Sequence, residues 1–60
     1  MTSRADFEKI LDFEIQARDH YQHLVEQIER EDVREKIAEI RDDEERHIKI
    51  AKRLLELIQE

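Results

Sequence analysis

The 60-residue chain contains no cysteine, no glycine and no proline. Without cysteine there is no disulfide staple, no iron–sulfur cluster and no cysteine-type zinc site. Without glycine or proline nothing punctuates the chain as a turn-rich β protein is punctuated. Long apolar runs are also missing, and none approaches the roughly 18 residues that a membrane span needs. The opening Met1-Thr2-Ser3-Arg4-Ala5-Asp6 lacks the apolar centre of a secretory signal. A reducing, cytoplasmic setting is the expectation. Basic charge is scarce as well. Seventeen Asp and Glu against eleven Lys and Arg leave a net charge of −6, which disfavours nucleic acid as a partner, because phosphate contacts need a basic patch.

What remains is a charged, helix-favouring chain, 47% charged and 38% hydrophobic. Ser3 with Asp6 reads as a capping box and opens a first helix, about 3–30. Its apolar positions, Phe7, Ile10, Leu11, Ala17, Tyr21, Leu24, Val25 and Ile28, recur in steps of three and four. Phe13 and Ile15 fall off this stripe, on a flanking surface. A break near Arg30-Glu31 is expected, because Asp32 with Glu35 forms a second capping-box pattern. The second helix then covers about 32–59, with Val33, Ile37, Ile40, Glu44, His47, Ala51, Leu54 and Ile58 on one stripe, widened by Ile48 and Leu55. The rival is one unbroken helix. With no glycine, the link needs a left-handed non-glycine residue or a short non-helical step. Glu26–Arg30, Asp32–Lys36, Asp42–Arg46 and Glu45–Lys49 place acid four residues before base, the order that supports a solvent-facing surface.

Three polar residues interrupt the stripes: Glu14, Glu44 and His47. Glu44 and His47 are three apart, so they share a helix face. Burying even milder polar groups without partners costs roughly 2–7 kcal/mol each, too much for a domain whose whole stability is about 5 kcal/mol. With the turn at about residue 31 and a rise of about 1.5 Å per residue, Glu14, Glu44 and His47 lie about 25, 20 and 24 Å from it, so they meet at one height. A hairpin this short must bury its apolar face against something, and a second copy is the simplest partner. A two-fold axis crossing the hairpin at mid-length would join two such clusters. Four Glu and two His then make up the di-iron or di-manganese carboxylate set of four-helix bundles. The expected fold class is therefore all-α, an antiparallel two-helix hairpin that dimerises into a four-helix bundle, with the whole chain as one domain. His20 and His23 read as solvated, with a secondary metal or interface role as the alternative. Tyr21 reads as a core aromatic or as a neighbour of the metal site. Asp43 and Glu45 read as solvated, with Asp43 near enough to the stripe to bond a ligand histidine.

Glu14-x-x-Ala17-x-x-x-Tyr21, followed about thirty residues later by Glu44-x-x-His47, resembles one half of a ferritin-like di-iron bundle. Its flavour is nearest to the rubrerythrin and encapsulated-ferritin branches. The resemblance spans roughly residues 11–55. It implies that Glu14 and His47 are terminal metal ligands, that Glu44 bridges two metals, and that Tyr21 stands beside them as a fourth catalytic residue. It implies iron as cofactor, with Mn or Zn as substitutes, and ferroxidase activity with dioxygen or peroxide, for iron storage or detoxification. It also implies an obligate homodimer or a larger ring, and an encapsulin shell as a further partner and compartment. The chain departs from the family in carrying only one half of the bundle, as two-helix half-ferritins do. The targeting extension of many encapsulated ferritins is not expected after the second helix. The competing expectations are a structural hairpin dimer in which the polar trio only fixes register, and a Mn- or Zn-binding bundle without turnover.

Overall fold

A computed structural model describes residues 3–58. They form two antiparallel α-helices, α1 (Arg4–Gln27) and α2 (Glu31–Leu57), in a rod of 46 × 15 × 14 Å. The single unbroken helix is thereby excluded. No helix among the described residues is long and apolar enough to cross a membrane.

The start of α1 follows the sequence expectation. Ser3 adopts extended backbone, its hydroxyl accepts from the Asp6 amide, and the Asp6 carboxylate accepts from the Ser3 amide at 3.1 Å. The start of α2 does not. Arg30, rather than Asp32, is the N-cap, and it makes no side-chain capping bond. Asp32 works from inside the first turn instead. Its carboxylate accepts from the Val33 amide at 2.9 Å, satisfying one orphan donor of the helix end, and takes the Arg30 guanidinium at 2.9 and 3.0 Å. The link Ile28-Glu29-Arg30 is a short non-helical step with extended backbone at Ile28 and Arg30. No described residue has positive φ, so the turn needs no glycine. The first helix ends at Gln27, about three residues before its expected end, and α2 ends at Leu57. The expected limit at residue 59 lies outside the described residues.

The open end of the rod is tied by Arg4. Its Nη1 donates to the carbonyls of Leu55 at 2.6 Å and Ile58 at 3.1 Å. This places a cation on the unsatisfied, partly negative carbonyls that end α2.

The core inside one hairpin is thin. Ile48, Ala51 and Leu55 are its buried residues, and α1 contributes none. The expected α2 stripe is therefore split. Its Ile48–Leu55 edge faces α1, whereas Val33, Ile40 and Leu54 stay open to solvent. The physical reason is geometric: one neighbouring helix covers only one flank of an apolar stripe about 100° wide. The same holds for α1, where Ile10 is 45% exposed and Phe13 72%, while Ile15 is half-buried.

Candidate metal centre

Glu14 and Glu44 stand equally far along the chain from Glu29, the middle of the link. Folding the antiparallel pair therefore brings them side by side. His47, one turn beyond Glu44, reaches the same place. One ligand atom from each of Glu14, Glu44 and His47 lies within 4.8 Å of the others. The three form one group that could hold a metal ion. His47 Nδ1 is 3.6 Å from Glu14 Oε2, across the helix pair.

The three side chains differ in exposure. The Glu14 side chain is 25% exposed and that of His47 is 54% exposed. The sequence reading put His47 in the core, but within one hairpin it stands on the rim. Glu44 Oε2 is buried and has no hydrogen-bond partner among the described residues. The Glu14 carboxyl beside it first and burial second push the Glu44 carboxyl above its ordinary range, with His47 opposing the rise. Two carboxylates this close, one with a buried bare oxygen, need a proton or a cation between them. Two carboxylates and an imidazole suit a divalent first-row metal, and the orphan oxygen gives it a ready ligand. On donor type and placement, the residues fit such an ion.

Beside the trio, Phe7, Ile10, Glu14, His47, Ile50, Ala51 and Leu54 line an open groove of about 250 Å³. Its walls are apolar apart from Glu14 and His47. A second depression, lined by Lys9, Asp12, Phe13 and Gln16, lies on α1 alone.

The other side chains singled out in the sequence are placed as follows. Tyr21 is half-buried, two turns along α1 from Glu14. Its ring meets His20 edge-on at 6.3 Å, and its hydroxyl bonds to no group among the described residues. His20 and His23 are exposed. Asp43 takes Arg46 on its own helix and does not bond His47. Glu45 corrects the solvated reading: it is half-buried and accepts from Arg18 Nη1 at 3.3 Å across the helices. Arg41 Nη1 likewise donates to Gln22 Oε1 at 2.8 Å. The expected i,i+4 ion pairs give way to other partners. Lys36 pairs with Glu39, Arg30 with Asp32, and Arg46 with Asp43.

Arg18 and Arg41 were missed as cross-helix ties, although a signal existed. Arg41 stands one heptad before Ile48 and two before Leu55, in the very row that faces α1.

Compared with models of known families, with curated proteins and with solved structures, the chain matches none. The resemblance to ferritin-like bundles therefore rests on its own residues and their placement.

Proposed function

We propose that this chain is a ferritin-like half-bundle that binds iron between two copies and oxidises Fe(II). The observation that carries the reading is the convergence of Glu14, Glu44 and His47 donors within 4.8 Å, at mid-hairpin. The thin core supports a second copy, since a hairpin with three buried side chains among the described residues has little to hold it. A partner packed over the groove covers Ile10, Ile50 and Leu54 and removes His47 from solvent. It also doubles the donor set to four carboxylates and two imidazoles, the inventory of di-iron carboxylate bundles.

The substrate is Fe(II). Each ion gives up one electron, so a pair reduces dioxygen to hydrogen peroxide with uptake of two protons, or peroxide to water. The chain's own groups supply the rest. Glu44, whose Oε2 is buried and unpaired, would take the bridging role that the resemblance implies. Glu14 and His47, 3.6 Å apart across the helix pair, would hold an ion as terminal ligands. Carboxylates would balance the charge gained on oxidation, and the apolar groove wall, once covered by a second copy, would exclude water from the site. Tyr21, two turns along the Glu14 row, is assigned as the site's neighbour on the resemblance. The resemblance places this activity in iron storage or detoxification, with an encapsulin shell as a compartment.

The test is aerobic addition of Fe(II), followed by the near-ultraviolet absorbance of Fe(III), in wild type and in Glu44→Ala. Fast oxidation in the wild type alone is expected. Equal rates in both would sink the reading.

A second reading is a hairpin dimer in which the trio only fixes register. The metal-independent ties Arg18–Glu45, Arg41–Gln22 and Arg4–Leu55 favour it, because they close the hairpin without an ion. A melting temperature unmoved by Fe(II), Mn(II) or Zn(II) is its signature.

A further inference from the structure

The two histidines outside the trio stand together. His20 and His23 are three residues apart on α1. That step sets two side chains one above the other on a helix face, with Cβ atoms about 5–6 Å apart. Glu44 and His47 are separated by the same step, and there it brings donor atoms within 4.8 Å of one another. Both His20 and His23 are exposed, so their rotamers are free to converge on one ion. Neither makes a hydrogen bond or an ion pair among the described residues. Tyr21 meets the His20 ring edge-on at 6.3 Å, a contact that occupies no ring nitrogen.

The surroundings favour a cation. Between residues 16 and 27, α1 exposes Gln16, Asp19, His20, His23, Glu26 and Gln27, and no lysine or arginine is among them. The base of that stretch, Arg18, is half-buried and pairs with Asp19 and Glu45. Asp19 precedes His23 by four residues and Glu26 follows it by three, so both carboxylates neighbour it on the helix surface. Each has one oxygen engaged: Asp19 Oδ1 accepts from Arg18 at 3.0 Å, and Glu26 Oε1 accepts from Gln22 at 3.1 Å. Two acids beside two imidazoles draw divalent ions and repel anions.

Donor type selects the ion. Two neutral imidazoles suit Zn(II), Ni(II) or Cu(II), whereas the carboxylate-rich trio suits a harder ion. No third His, Asp or Glu donor is gathered with the pair among the described residues. Water then fills the remaining positions, and the ion is held weakly enough to exchange.

We infer that His20 and His23 form a second metal site, a two-imidazole chelate on the exposed face of α1 that takes a borderline divalent ion of the Zn(II), Ni(II) and Cu(II) class. It uses none of the trio's residues and does not depend on the iron reading.

The test titrates Zn(II) calorimetrically into full-length wild type, His20→Asn, His23→Asn and Glu44→Gln. Circular dichroism checks the fold, which substitution at two exposed positions spares. Proton NMR follows the histidine ring signals, assigned by the variants, and sedimentation equilibrium is run with and without Zn(II). Each histidine variant should weaken one class of Zn(II) site by about tenfold or more, with the His20 and His23 ring signals shifting together in the wild type. Glu44→Gln should leave that class as tight as in the wild type. Wild-type binding in either histidine variant overturns the chelate. Loss of all Zn(II) binding in Glu44→Gln also overturns it, since the zinc then belongs to the trio. A zinc-induced rise in mass that a histidine variant removes overturns it too, by assigning the imidazoles to a bridge between copies. The site is upheld by the expected pattern even in a protein that oxidises no Fe(II).

Discussion

The two sides of the helix pair are built on different chemistry. On one side, Arg18 reaches Glu45 and Arg41 reaches Gln22 across the helices. Arg41 stands there in the same seven-residue row as the buried Ile48 and Leu55. That side is complete within one chain. On the other side, Ile10, Ile40, Ile50 and Leu54 stand open, beside two carboxylates and an imidazole gathered within 4.8 Å. The first side is satisfied with water in front of it. The second has exposed apolar area and, at Glu44 Oε2, a buried oxygen with no hydrogen-bond partner among the described residues. Residues of similar type thus have opposite consequences, depending on the flank they occupy.

The sharpest break in this comparison is between Ile48 and Ile40. Ile48, 2% exposed, belongs to the closed core. Ile48→Ala should cost roughly 2–5 kcal/mol, enough to unfold most of a marginal hairpin, and a circular-dichroism melt would read it. Ile40→Ser with Leu54→Ser should leave the isolated hairpin's helicity nearly intact and instead lose self-association, by about tenfold or more in dimer dissociation constant. If the double serine variant melts as badly as Ile48→Ala and the dimer is unaffected, the distinction between the sides fails.

A smaller effect is expected at Glu44, and it depends on pH. A carboxyl whose folded pKa lies above its unfolded value near 4.5 binds its proton more tightly when folded. Its stabilising contribution is present below the unfolded value and is lost as pH rises through the folded one. The metal-free wild type should therefore melt lower at neutral pH than in mild acid, on this group's account. Glu44→Gln should flatten that dependence and melt higher than wild type at neutral pH. The same variant should weaken Mn(II) or Fe(II) binding at least tenfold by calorimetry, because the amide cannot replace a carboxylate on a hard cation.

The smallest effect belongs to the closed side. Arg18 and Glu45 have side chains 29% and 44% exposed. Their pairing should be worth about 0.2–1 kcal/mol in a double-mutant cycle and should weaken with salt. Metal affinity should not respond to Arg18→Ala. A metal effect as large as that of Glu44→Gln would mean that the two sides are coupled.

Periodicity and capping chemistry made much of this protein legible in one dimension. The period of three and four residues, the Ser3–Asp6 box and the absence of glycine and proline determine two helices with a short link. Glu14, Glu44 and His47 stood out because polar groups in an apolar row are costly wherever the row is buried. The turn was located from Asp32 and Glu35, yet the helix begins at Glu31 without a side-chain cap, since an extended Arg30 and an Asp32 inside the first turn do the same work.

Three-dimensional packing decided the rest. A stripe on a helical wheel does not say which flank meets the neighbouring helix, because side-chain period is a property of one helix and interaxial rotation a property of two. Only the folded pair shows that the Ile48–Ala51–Leu55 edge turns inward and that His47 is left on the rim. Only the pair converts Arg18, Arg41 and Glu45 from surface charges into cross-helix ties. The convergence of the trio within 4.8 Å likewise belongs to the tertiary structure. The sequence by itself determined which residues are costly to bury; the antiparallel packing decided which of them meet, because distance across two helices is set by register and rotation.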